Sequence, residues 1–425
     1  VSKLLPFLQR QWRRMPASHS VRATLGSILW PLVTARGQAN LRQTSDGATV
    51  QPGPLVISAC ISDVTGIGRA GRLTAKAAGT WGVPMVVHDI PADREALTVP
   101  KDLAPGGVWL AHCNPPETVA LLSQRSEHLW ASRYRIAYWA YELAELPRLW
   151  SRAIPFFHEI WTPSSFVAAA VERARGKATT IVRVVPHPVA IEPPPAVGRH
   201  DGPLTFLAMI DARSSLSRKN PLGAIEAFRR AFAPDDRSVR LLLKIVAAWK
   251  DPHGIRRLRD AVAGWPNIEF TEDELSDLET QRLVASADCL VSLHRAEGFG
   301  LPIAEAMLAG LPVIATDWSG NTDLTRGASY EVPYRLVPAN DASGRRYSGT
   351  GQDWADPDIA VAAARMRQVR DDPSGRAAVA RRGQQRVRDL CGGLPFEAVA
   401  RFVAPSPALV PERPGASLSA KDGQE

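Results

Sequence analysis

Between residues 54 and 403 the chain alternates short, continuously apolar runs with amphipathic stretches of helical period. Residues 54–60, 83–90, 107–112 and 135–139 read as buried strands, and 70–81, 117–124 and 165–175 as helices among them. Residues 184–197 contain Pro186, Pro188 and Pro193–Pro195, too much proline for either element, and predict a linker. The alternation then restarts, with strands predicted at 204–210, 240–246, 267–270, 288–293 and 312–315. Helices are predicted at 222–232, 255–263, 278–287 and 302–309, and two more, at 359–369 and 376–390, follow a polar loop. Strands alternating with helices imply right-handed crossovers and parallel sheets covered on both faces. The expected fold class is α/β: two doubly wound Rossmann-like domains facing a central cleft, with ligands at the carboxyl ends of the strands.

A chain of 425 residues suits two or three domains. The division expected is a basic amphipathic arm (1–50), a first Rossmann-like domain (51–195), a second (196–403) whose last helix crosses back to the first, and a disordered Pro/Ser/Gly-rich tail (404–425). The net charge of +8 is unevenly spread: residues 1–50 hold seven cations and only Asp46, so the remaining body is nearly neutral. That balance argues against nucleic acid as a partner. In the arm Leu4, Leu5, Leu8, Trp12 and Met15 lie opposite Lys3, Arg10, Arg13 and Arg14, the pattern of a helix lying in an anionic membrane surface, here through residues 1–40. No run reaches the roughly 18 apolar residues of a spanning helix. The arginines follow the first apolar stretch, so no cleavable leader is expected there. Cys60, Cys113, Cys289 and Cys391 lie far apart, which suits reduced thiols and a cytoplasmic setting, peripheral to the inner face of the plasma membrane.

Candidate chemistry is densest at residues 294–321. A strand predicted to end at Leu293 leads into a glycine loop, Glu297-Gly298-Phe299-Gly300-Leu301-Pro302, that opens a helix. Gly298 and Gly300 allow close backbone approach, Pro302 suits a helix start, and the helix N-terminus favours a phosphate. Glu297 and Glu305 can accept hydrogen bonds from the hydroxyls of a sugar and a ribose. A second loop, Asp211 to Pro221, carries Arg213, Arg218 and Lys219, positive charge that a strand-to-helix loop at the cleft can bring to a phosphate. In the first half, Gly66-Ile-Gly68-Arg-Ala-Gly71 fits the dinucleotide fingerprint, with Asp89 ending the next strand. It would make the chain an NAD(P)-dependent oxidoreductase. Five residues, Ile61 to Thr65, separate the first glycine from the strand, whereas the fingerprint needs it directly after. Asp356 in Trp354-Ala-Asp356-Pro-Asp358 reads as a helix N-terminal residue rather than half of a metal-binding pair. No cysteine–histidine cluster suggests zinc, so no metal site is expected.

The string from His294 to Asn321 closely resembles the signature of family 4 (group 1) retaining glycosyltransferases. Glu297 and Glu305 match its E-x7-E element without a gap, followed by Gly310-Leu-Pro-Val-Ile-Ala-Thr316 and the Ser319-Gly320 turn. Residues 109–115, 138–143 and 159–164 also resemble this family, and the likeness runs over about residues 55–400. It implies the two-domain GT-B fold and transfer of a sugar from a nucleoside-diphosphate donor to an acceptor hydroxyl, with retention and with no cofactor or metal. The acceptor class implied is a bacterial cell-surface polysaccharide or a lipid-linked glycan. By the same resemblance Glu297 faces the donor sugar, Glu305 the ribose, and the backbone at Phe299-Gly300-Leu301 the sugar or phosphate, beside Ser319. Lys219, with Arg213 or Arg218, meets the diphosphate. The Gly66 and Gly68 loop approaches phosphate or acceptor, His112 lies near the transferred sugar, Glu142 faces the cleft, and Phe270 and Thr271 lie near the base. The competing readings are the oxidoreductase built on Gly66, Gly68 and Gly71, and a catalytically silent nucleotide-binding protein of the same fold.

Overall fold

The computed structural model describes residues 50–90, 103–123, 127–192, 201–341 and 351–404, together with Ala35 and Tyr347. The amphipathic arm with its membrane-facing residues 1–40, and the tail beyond 404, lie outside the described residues apart from Ala35. The first sheet holds β1 (Leu55–Ala59), β2 (Met85–Asp89), β3 (Val108–His112), β4 (Tyr134–Tyr138), β5 (Glu159–Thr162) and β6 (Ile181–Val184). All pair in parallel, in the order β2-β1-β3-β4-β5-β6. The second holds β7 (Leu204–Asp211), β8 (Val239–Val246), β9 (Ile268–Thr271), β10 (Cys289–Ser292), β11 (Val313–Thr316) and β12 (Tyr330–Val332). It is also parallel, in the order β12-β11-β10-β7-β8-β9. Every residue of β1 and β3 is buried, which is why those runs are apolar throughout rather than alternating.

Several elements differ from the sequence expectation. β5 was not anticipated because its first residue is a glutamate. Glu159 is buried and satisfied by the Tyr134 hydroxyl (3.0 Å), Trp161 Nε1 (2.9 Å) and Arg183 (2.7 Å). β6 is a four-residue edge strand with little buried surface, and its last residue fell within the expected linker. The expected polar loop after β12 instead includes an antiparallel pair, β13 (Tyr334–Pro338) and β14 (Asp353–Pro357). This corrects the reading of Asp356, which is a strand residue opposite Arg335 and forms ion pairs with Arg295 and Arg335, both at 3.1 Å. Pro357 disfavours helical backbone in the residue before it, so the cap falls to Asp358, whose side chain accepts from the amides of Ala360 and Val361.

The two halves share apolar surface. Helix α1 (Gly66–Gly79) contributes Leu73 to a cluster containing Val189, Ile303, Met307 and Val387. The last helix, Pro373–Leu390, packs with the second half, against residues 301–308. It is the segment after it that returns. Phe402 stacks on Tyr134 at 4.0 Å, Phe396 meets Trp81 at 5.1 Å, and Val403 bridges to Gly53.

Candidate functional site

The site is built where β10 ends. His294 is buried, its ring nitrogens 2.9 Å from Ser292 Oγ and 2.9 Å from Asn321 Oδ1, and this fixes the chain as it leaves the sheet. The Glu297 amide donates to Ser319 Oγ at 2.8 Å, and the Gly320 amide donates to the Glu297 carbonyl at 2.8 Å. Ser319 holds φ at +77°, an uncommon conformation for a side-chain-bearing residue, fixed here by these contacts. Gly320 cannot be larger, since a Cβ would lie 2.1 Å from the Gly298 carbonyl oxygen. Gly300, at φ +89°, turns the loop into helix α2 (Leu301–Leu308), which no side chain caps. Its first amides therefore remain available to a ligand.

Glu297 lies inside this loop, 7% exposed. Lys219 Nζ is 2.5 Å and Arg218 Nη1 3.1 Å from the same oxygen, Oε1, and no described donor meets Oε2. Burial alone would raise the carboxyl, but Lys219 and Arg218 outweigh it and hold Glu297 at about 2. Arg218, also buried, is kept more firmly protonated than an ordinary arginine: burial opposes its charge, and Glu297 overrides that. Both cations come from the one-turn helix Leu216–Lys219, which Ser215 caps and Asn220 ends in left-handed backbone before the next helix starts at Pro221. Arg213 is elsewhere, its Nε 2.9 Å from Asp211 Oδ1. The structure thus brings Arg218 and Lys219 to Glu297, and leaves Arg213 on Asp211.

The first half closes over this loop. Glu142 lies 3.8 Å from Arg218, and Ser164 Oγ donates to the Gly298 carbonyl at 2.7 Å. The Ser165 amide donates to Asp323 at 2.6 Å. A Cβ on Gly298 would come within 3.0 Å of the Tyr141 carbonyl oxygen. Around Glu305 the contact is ionic: Arg69 Nε is 3.0 Å from Glu305, its Nη2 2.6 Å from Glu192 and its Nη1 3.4 Å from Asp277. Burial pushes the Glu305 carboxyl up despite Arg69. Arg72 and Lys76, from the same helix, add pairs to Asp277 (2.9 Å) and Glu192 (3.0 Å). Arg69, Glu192 and Asp277 were not foreseen. The available signal was electrostatic, because a cation in the first turn of a helix opposes the dipole and calls for a carboxylate partner.

His112, at the end of β3, is buried in an aromatic wall, with ring centroids 4.2 Å from Tyr138 and 5.8 Å from His187. His187 in turn meets Phe299 edge-on at 4.9 Å. Burial drops the His112 imidazole to about 3, so it is neutral at ordinary pH. It reaches Phe299 of the glycine loop through this wall, and among the described contacts it does not touch Glu297. Gly66 begins α1 across from Leu301, whereas Gly68 is required by packing: a Cβ there would lie 1.9 Å from the Asp63 carbonyl oxygen. Thr65 caps this helix, after the intervening residues 61–65. The glycines therefore do not form the tight strand-to-helix turn of a dinucleotide fingerprint. Phe270 packs partly into the core and Thr271 donates to Asp273 at 2.8 Å, both on the edge strand β9 and away from Glu297. Among the described residues no group of three or more His, Cys, Asp or Glu side chains is arranged to hold a metal.

Residues 210–344 match the family model of group 1 glycosyl transferases. MMP alpha-(1->4)-mannosyltransferase of Mycolicibacterium hassiacum is 35% identical over 94 residues, which are 22% of this chain and 21% of that protein. The chain thus spans about a fifth of the length of this curated relative in the match. Anabaena HepE, solved in complex with UDP and glucose, superposes with a TM-score of 0.56 at 14% identity, over 80% of this chain and 95% of that one. A glycosyltransferase from Rickettsia africae gives 0.52 at 14% identity, over 83% and 94%. The structural likeness defines the fold, GT-B, and over residues 210–344 the chain is similar to the group 1 glycosyl transferases.

Proposed function

We propose that this chain is a retaining glycosyltransferase that moves a sugar from a nucleoside-diphosphate donor to an acceptor hydroxyl, without a metal. The observation that carries the reading is the buried Glu297, held ionised by Lys219 and Arg218 beside an uncapped helix N-terminus. The free Oε2 accepts hydrogen bonds from donor-sugar hydroxyls, and Glu305 accepts from the ribose once Arg69 yields it. Lys219, Arg218 and the amides at the start of α2 stabilise the departing diphosphate as the anomeric C–O bond breaks. The acceptor oxygen bonds to the same face of the anomeric carbon, and its proton passes to the leaving phosphate oxygen. The acceptor enters from the first half, and closure excludes water that would hydrolyse the donor. HepE was solved with UDP, which makes UDP-sugars the first donors to try. The acceptor we favour is a growing cell-surface polysaccharide or lipid-linked glycan on the cytoplasmic face of the plasma membrane, approached with the help of residues 1–40.

Thermal unfolding in the presence of UDP, GDP, ADP and their sugars tests the donor side, because a ligand that binds the folded state raises Tm by mass action. One nucleotide is expected to stabilise the wild type and to lose most of that effect in Lys219→Ala. Stabilisation by NADH instead, with none by any nucleoside diphosphate, would overturn the reading.

A further inference from the structure

A concavity of about 590 Å³ lies at the opposite, amino end of the first sheet, where β4, β5 and β6 begin. Arg135 occupies its wall. The Arg135 amide donates to His158 Nδ1 at 2.9 Å and its Nε to the Phe156 carbonyl at 2.8 Å, which fixes the guanidinium plane. No described group accepts a hydrogen bond from its two terminal nitrogens, and no carboxylate pairs with it. Burial lowers this arginine to about 10. The nearby acids are already engaged: Glu159 with Tyr134, Trp161 and Arg183, and Glu172 with Arg175 at 2.9 Å. Lys177 also lines the concavity, exposed and without a described partner, and no Asp or Glu is among the lining residues. The His158 ring, stacked on Tyr134 at 4.7 Å, also lines the space.

A half-buried guanidinium without a counter-ion is costly to keep, and an anion arriving between Arg135 and Lys177 relieves that cost. Two adjacent terminal N–H groups match a tetrahedral oxyanion bidentately. His158 accepts at Nδ1, so its neutral ring carries the proton on Nε2 and adds a donor to the lining. The volume exceeds that of a bare phosphate and suits a phosphorylated small molecule or a lipid headgroup. We infer that this concavity is a second ligand site, distinct from the cleft, that takes a phosphate-bearing molecule between Arg135 and Lys177. The inference is independent of the proposed transferase activity.

The test is binding of inorganic phosphate to the full chain, followed by calorimetry in a Lys219→Ala background that weakens anion binding in the cleft. Arg135→Gln and Lys177→Glu are each expected to weaken phosphate at least tenfold. Lys177 is exposed, so its variant decides the matter even where Arg135→Gln fails to fold. Phosphate is also expected to slow acetylation of Lys177, read by mass spectrometry. Phosphatidylglycerol vesicles that compete with phosphate in the parent but not in Lys177→Glu identify a headgroup as the source, and vesicles without effect identify a soluble phosphorylated ligand. Unchanged phosphate affinity in Lys177→Glu together with no protection of Lys177 overturns the proposal.

Discussion

Glu297 and His112 are both buried, and burial acts on them in opposite senses. Glu297 has two cations on one oxygen and stays ionised down to about 2, below the usual carboxylate value of about 4.3. Its folded-state value is depressed, so its contribution to stability is complete above about pH 4.5 and is lost as pH falls toward 2. A plot of Tm against pH is therefore expected to lose part of its acid slope in Glu297→Gln. His112 has no cationic or anionic partner and falls to about 3. The unfolded chain takes up that proton first, so stability drops as pH falls from about 6.5 toward 3, and His112→Gln removes part of that slope while the buried His158, His187 and His294 keep the rest. At this scale the place of Glu297 in a turn between a strand and a helix was legible because a buried apolar run, two glycines and Pro302 follow one another in sequence. The choice between Arg213 and Arg218 was not, since both lie in one loop and only the turn capped by Ser215 sends Arg218 inward.

Among the elements, the two glycines in the first turn of α1 separate packing from chemistry. A methyl group on Gly68 meets the Asp63 carbonyl at 1.9 Å, while one on Gly66 meets only Leu301 Cδ1 at 3.9 Å. Gly68→Ala is expected to cost about 1–3 kcal/mol in urea unfolding, the range for overpacked positions, and Gly66→Ala much less. Equal costs would show that the loop reshapes around either residue. Most strands were readable because parallel strands buried on both faces are continuous apolar runs. β5 and β6 escaped for opposite physical reasons. One begins with a charge that only the folded neighbourhood neutralises, and the other is an edge with little surface to bury. The β13–β14 pair escaped because residues opposite one another across it, such as Arg335 and Asp356, are 21 positions apart.

Across the whole molecule, the cleft is held by contacts whose partners are far apart in sequence, 236 positions for Arg69 and Glu305. No local pattern announces such a pair, so the two sheets were predictable and their closure was not. Arg69 links the first half to Glu192 and Glu305, and its side chain is only 13% exposed, so salt screens it weakly. Arg69→Met leaves those carboxylates without their main cation. It is expected to enlarge the radius of gyration in small-angle scattering, and an unchanged radius would mean that the apolar seam around Leu73 suffices for closure. The central claim is that Glu297 and Lys219 act together on a nucleoside-diphosphate sugar. Its most direct test is donor turnover, measured as nucleoside diphosphate released with the preferred donor, in wild type, Glu297→Gln and Lys219→Ala. A drop of about 100-fold or more in each variant, equivalent to about 2.7 kcal/mol of transition-state stabilisation, is the predicted result. Turnover within a few-fold of wild type in either would contradict it.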